Sequence, residues 1–436
     1  MSKRSGLMVL CFITLCSQYL HAQARLMGIE EMFSLADRNS KSIQGYRTGR
    51  EAAVEAVKAA KAQRFPDIEA TVSASYLGNG RLWDRDFANG MKIDIPHFGN
   101  NFALEAQQVI YAGGAIDSNI EMAELNKQLA DLDLEKNNQD IRFLLIGYYL
   151  NLYKQKNQIL VLQKNLELTE QIIENMKARN EQGTVLENDI TRYELQKETL
   201  KLQIVQVEDA CKVINHRLVT LLHLSENTVI LPDSTLLDRH ISVLEKKEWQ
   251  EIAAQHNIDL QQAQLGIEIN RQRVRMEKSK RLPKIALVAA EHLDGPITIE
   301  VPVLDNNFNY WYVGVGVSYS LSSLFKEHRN LKQSKLNVRR AEENYDLAKE
   351  QVGNAVQECY VNFQTAFTDL HVQEKSVKLA NENYSVTNNR YENGLAILTE
   401  MLDASTAKLN AELGLVNARI NILYNYYKMQ YVTHTL

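Results

Sequence analysis

Apolar side chains recur at steps of three and four along two stretches that flank a glycine turn late in the chain. The outgoing arm carries Ala341, Tyr345, Ala348, Val352, Ala355, Cys359, Phe363, Ala366, Leu370, Val377, Ala380 and Tyr384. The chain turns at Tyr391-Glu392-Asn393-Gly394, and Leu398, Leu402, Leu409, Leu413, Val416, Ile420 and Leu423 mark the return. A seam held near 3.5 residues per turn for this long predicts a coiled coil rather than an ordinary surface helix. An arm from Leu331 to Asn393 would reach roughly 90–100 Å, about three times the hydrocarbon core of a bilayer.

The same reading applied from the start of the chain predicts a helix over Ile29 to Arg64, stopped by Arg64-Phe65-Pro66. Residues 67–77 then alternate, with Ile68, Ala70, Val72, Ala74 and Tyr76 on one face and Glu69, Thr71, Ser73 and Ser75 on the other, as a strand with one apolar side requires. Residues 78–100 read as a long loop and residues 101–111 as a second strand. Ala112-Gly113-Gly114 breaks the chain before a long helix from Ile116 to about Asn180. Gln182-Gly183-Thr184 turns it, and Asn188 to Leu224 returns.

Residues 225–248, which include Pro232, read as a linker, and the plan then repeats. Trp249 to Lys280 is helical and is stopped by Arg281-Leu282-Pro283. Residues 284–293 form a strand, a loop carrying Pro296 and Pro302 follows, and residues 310–321 alternate most cleanly of all. Arg179-x-x-x-Gly183 matches Arg390-x-x-x-Gly394 in position, as Tyr149 matches Tyr360. The pattern predicts an internal duplication of helix, strand, strand and long helical hairpin, with repeats at 23–224 and 249–436.

The N-terminus adds an address. Lys3 and Arg4 precede an apolar segment from Leu7 to Leu20, followed by His21-Ala22-Gln23, which predicts a secretory signal peptide over residues 1–22. Lipidation at Cys16 is disfavoured by the bulky Leu15 before it. Cys211 and Cys359 remain in the mature chain within helical stripes, where small buried hydrophobes are expected rather than a disulfide or a metal pair. A net charge of −5 and the lack of a basic face argue against a nucleic-acid partner. No later stretch offers the roughly 18 uninterrupted apolar residues of a spanning helix, so a membrane location requires a β-barrel. Histidine spacing suggests no metal site, and no nucleophile elbow, phosphate loop or cofactor motif occurs, so an enzyme is not expected.

Four strands cannot close a barrel, since small membrane barrels need about eight. Several copies must therefore pool their strands if these lie in lipid, where each unpaired backbone group costs several kcal/mol. With these features the sequence resembles the TolC family of outer-membrane efflux proteins over nearly all of the mature chain. The most specific likeness is Arg390-Tyr391-Glu392-Asn393-Gly394 followed by Glu400-Met401-Leu402-Asp403-Ala404. The resemblance implies a mainly α protein with a membrane β-barrel: a homotrimer with a twelve-stranded barrel in outer-membrane lipid and a periplasmic α-barrel narrowed at the hairpin tips. It implies a passive conduit for efflux or type I secretion, docked to a periplasmic adaptor and to an inner-membrane transporter of RND or ABC type. A periplasmic adaptor and a structural coiled-coil protein are the alternatives.

The resemblance also assigns candidate residues. Glu400 and Asp403 match an acidic ring at the entrance, and Tyr391 with Asp189 match a lock between helices. A lock arginine of the family falls here on Ala396, so that charged contact is expected to be missing. Gly183 and Gly394 are expected to form the turns. Thr184-Val185-Leu186 and Leu395-Ala396-Ile397-Leu398 are expected to be exposed for docking against an adaptor. Asp403, Asn410, Asn417, Asn421 and Asn425 form a polar stripe on the return helix that could line a water-filled lumen.

Overall fold

A computed structural model describes residues 23–233, 244–300 and 302–436. The signal peptide and the middle of the 225–248 stretch lie outside the described residues. The chain divides into two compact units, one holding residues up to Arg47, Asp133–Ile258 and Lys349–Leu436, the other Thr48–Leu132 and Asp259–Ala348. Each unit is built from both halves of the sequence.

The second unit carries the sheet. Strands β2 (Asp67–Tyr76), β5 (Phe98–Tyr111), β7 (Lys284–Gly295) and β8 (Phe308–Ser318) are hydrogen-bonded in the order β2-β5-β7-β8, antiparallel throughout. Directly opposed residues share a face, so the register sorts the sheet. Val72, Phe102 and Leu293 fall on one side, with Ala106, Ala289 and Val313 beside them and Leu287 next to Val315. The other side takes Thr71, Ala103, His292 and Tyr310, then Ser73, Asn101 and Asp294. On the apolar face Ile68, Val72, Trp311, Val313, Val315 and Val317 are each 66–72% exposed. Among the described residues no helix is long and apolar enough to cross a membrane.

The strands differ at their ends from the sequence reading. The fourth stops at Ser318, not at residue 321, because Ser320 accepts hydrogen bonds from the backbone and hydroxyl of Ser323 and starts a helix. The second begins earlier, at Phe98, and the 78–100 loop holds a small hairpin of β3 (Gly80–Leu82) and β4 (Met91–Ile93).

The first unit is helical apart from one pair of short strands. Helices α3 (Ala115–Glu181) and α4 (Glu187–Leu222) form the first hairpin, α7 (Ser323–Glu392) and α8 (Leu398–Val432) the second; residues 115–132 of α3 and 323–348 of α7 belong to the second unit, the rest to the first. The 67 residues of α3 amount to about 100 Å measured along the helix. The predicted seam of α7 is buried or half-buried throughout, with Cys359, Phe363 and Ala366 at its centre. Phe363 packs against Ile422 of α8, and Leu162 of α3 meets Leu200 of α4 and Leu409 of α8. Asn165 donates to Glu412 at 3.0 Å and Gln158 to Asn417 at 2.9 Å, polar ties between α3 and α8.

Two predicted single helices are each broken. Residues 29–64 divide into α1 (Ile29–Asn39) and α2 (Lys41–Ala62), and residues 249–280 into α5 (Lys246–His256) and α6 (Ile258–Ser279). Ser40 and Asn257 adopt extended backbone at the breaks. Asn and Ser compete with the helix ladder for hydrogen bonds, and here the breaks aim asparagines at helix ends. Asn39 donates to the carbonyl of Leu222, the last residue of α4, and Asn257 to that of Val432, the last residue of α8. Helix C-terminal carbonyls lack intrahelical donors, so each break caps a hairpin.

The stretch read as a linker contains β6 (Thr228–Pro232), parallel to β1 (Gln23–Met27). Asn215 of α4 serves the edge of β6 like a further strand, donating to Thr228 and accepting from the Ile230 amide, both at 2.8 Å. The pair sits over a core of Met27, Met32, Phe33, Leu145, Tyr149, Leu218 and Ile230.

Candidate functional site at the hairpin tips

Both hairpins turn by the same device. Gly183 and Gly394 adopt φ of 73° and 74°, a left-handed conformation that side chains resist. At each turn the amide just past the glycine returns to the arginine four residues before it: Thr184 donates to Arg179 at 3.0 Å and Leu395 to Arg390 at 2.7 Å. These bonds satisfy the last carbonyls of α3 and α7. Asn180 adds a bond to the Val185 carbonyl, and Arg390 one to the Leu395 carbonyl.

Beneath the turns, Met176, Val185, Ile190, Tyr193, Leu398 and Met401 form one buried cluster that ties the two tips together. Two residues expected at the surface therefore belong to the core: Val185 is 8% exposed and Leu398 6%. They sit at the points where the turns enter the return helices, and burial there fixes the entry angle. Thr184, Leu186, Leu395 and Ile397 remain exposed, the last three at 66–70%.

A cleft of about 390 Å³ opens between the tips, lined by Asp189, Tyr391 and Ala396 with Arg179, Arg192 and Ile397. Asp189 and Tyr391 are thus brought together. Burial, and then the charge of Asp189, pushes the Tyr391 phenol above its ordinary range, while Arg179 opposes this. The Arg179 guanidinium lies over the Tyr391 ring, 5.7 Å from its centroid. Ala396 carries no charge in the cleft, and the cations that line it, Arg179 and Arg192, both come from the first hairpin. In the sequence Arg179 stands out only through its match with Arg390 in the repeat.

Glu400 lies 3.7 Å from Arg390, both about half exposed, an ion pair of the weak surface kind. Asp403 is exposed on the next turn, as are Asn410, Asn417 and Asn421. Asn425 leaves that stripe: it is buried and donates to the carbonyl and side chain of Asn421. A second apolar stripe escaped the sequence reading. Val361, Val372, Leu379 and Val386 of α7 lie on one line at intervals of eleven, seven and seven and are about half exposed. Leu195, Leu202, Val205 and Val213 form its counterpart on α4.

The chain thus combines an open sheet with one apolar face and two long helical hairpins. Comparison with known proteins makes this specific. The profile of the outer membrane efflux protein family matches residues 32–222 and 249–427, and the chain belongs to that family. PrtF, a protease secretion protein of Dickeya chrysanthemi, is 21% identical over 441 residues, covering 95% of this chain and 89% of that protein. TolC of Salmonella enteritidis is 24% identical over 189 residues, 42% of this chain and only 38% of the relative. The crystal structure of the outer membrane protein VceC from Vibrio cholerae superposes with a TM-score of 0.78 at 15% identity, over 93% of this chain and 96% of that one, a likeness of fold. The resemblance seen in the sequence is borne out, the protein resides in the outer membrane, and the adaptor and structural coiled-coil alternatives fall away.

Proposed function

We propose that this chain is the passive outer-membrane conduit of a tripartite exporter, closed by three copies. The observation that carries the reading is the open sheet. Its edge strands β2 and β8 run in opposite directions, so β8 of one copy pairs antiparallel with β2 of the next, and three copies give twelve strands with no free edge. The apolar face then meets lipid and the Thr71, Asn101 and Asp294 face meets water. The free stripes of α4 and α7 supply the matching seam between helices of neighbouring copies.

In this reading the tips form the periplasmic gate, with Glu400 and Asp403 around the entrance and the Asp189, Tyr391 and Arg179 cleft holding it shut. Thr184, Leu186, Leu395 and Ile397 face a periplasmic adaptor that links the conduit to an inner-membrane transporter. The purified protein in planar bilayers tests the gate. Asp189→Ala should raise single-channel conductance about twofold or more; an unchanged conductance removes Asp189 from the lock. Leu395→Glu places a charge on the docking surface, where desolvation is unfavourable. Export should fall to the level of a deletion strain while the oligomer persists in the outer membrane, and sustained export would place docking elsewhere.

A further inference from the structure

A groove of about 890 Å³ runs between α3 and α8, on the far side of α3 from its packed core. Ile141, Leu145, Tyr149 and Leu152 face that core. Asp140, Leu144, Gly147, Asn151 and Lys154, at steps of four and three, line the groove on the opposite face. Aromatic rings furnish one end: Phe143 stacks on Tyr431 with centroids 4.4 Å apart and leans on Tyr424 at 5.7 Å. The Tyr431 hydroxyl donates to Asp140 at 2.6 Å and fixes the carboxylate beside those rings. Lys154 stands fourteen residues further along α3, roughly 20 Å away along the helix, and Asp369 of α7 adds a second carboxylate to the lining.

Gly147 forms the floor. A glycine in mid-helix weakens it relative to alanine, yet a side chain here would meet nothing within 4 Å. The position holds open space. Size, aromatic walls and a few convergent polar groups are those of a small-molecule site, and aromatic faces beside a carboxylate favour a cation. The apolar stripes available to a second copy lie elsewhere, on α4 and α7.

The geometry points to a binding site for a planar aromatic cation, its ring system against Phe143 and Tyr424 and its charge on Asp140. Asn417 and Asn421 of the groove belong to the polar stripe of α8, so its position inside the conduit rests on the proposed function; the binding itself does not. Fluorescence polarisation of rhodamine 6G with the full-length protein in detergent tests it. Saturable binding is expected, weakened about tenfold by Asp140→Asn and by Gly147→Leu and less than about twofold by Gly147→Ala, with anionic fluorescein about tenfold weaker than rhodamine. The variants should keep the parental circular dichroism and melting temperature. The site is overturned if rhodamine does not saturate, if both substitutions leave its affinity unchanged, if fluorescein binds equally, or if Gly147→Leu changes the oligomer mass and so marks a contact between copies. Single-channel conductance on the same preparations tests the conduit separately.

Discussion

On the proposed three-copy assembly, Val372→Glu and Leu379→Glu introduced together should leave the purified protein as single chains. Within one chain α3 packs on both α4 and α8, and α8 packs on α7. That leaves α4 and α7 as the outermost helices of the layer, each with a line of aliphatic side chains turned outward. Val372, Leu379 and Val386 are 51%, 54% and 58% exposed, far more than the inner seam of the same helix. Intervals of seven and eleven keep residues on one face of a helix, which is what a neighbouring helix requires and solvent does not. Two carboxylates in each seam, repeated around the ring, would have to be buried without partners at several kcal/mol per seam. Native mass spectrometry or light scattering in detergent reads the result directly. An oligomer of unchanged mass would show that α7 does not form the contact.

The four long strands and both glycine turns were legible because each rests on local chemistry. Alternation marks a half-buried strand whatever it pairs with, and a left-handed turn needs glycine wherever it occurs. What the sequence hid depends on partners far along the chain. The breaks at Ser40 and Asn257 interrupt an apolar period by one residue, and their reason is a carbonyl 183 positions away in one case and 175 in the other. Strands β1 and β6 are five residues each and pair in parallel across most of the first repeat, so neither carries a hairpin signal. The outer stripe of α7 was masked by the stronger inner seam beside it. At the tips the periodicity could not tell Val185 from Leu186, since only the packing beneath decides which faces inward.

Tyr149 shows how far equivalence in sequence can depart from equivalence in role. Its counterpart Tyr360 is half-buried and accepts a hydrogen bond from Gln364 one turn on. Tyr149 is fully buried, donates to the Met27 carbonyl at 2.8 Å and accepts from the Asp233 amide at 2.8 Å. One hydroxyl thus holds the end of β1 and the end of β6 to α3, and burial raises its pKa further above the ordinary phenol value. A two-stranded sheet is marginal alone, so this tie and Asn215 carry much of the pair's stability. Tyr149→Phe keeps the ring and strands the Met27 carbonyl, a loss of about 1–3 kcal/mol. Amide exchange across residues 23–27 and 228–232 should accelerate about tenfold or more, since local opening scales with local free energy. Tyr360→Phe should leave that exchange untouched, because its partner is exposed and can turn to water. Equal protection in both variants would mean that the strands are held by their core contacts and not by the hydroxyl.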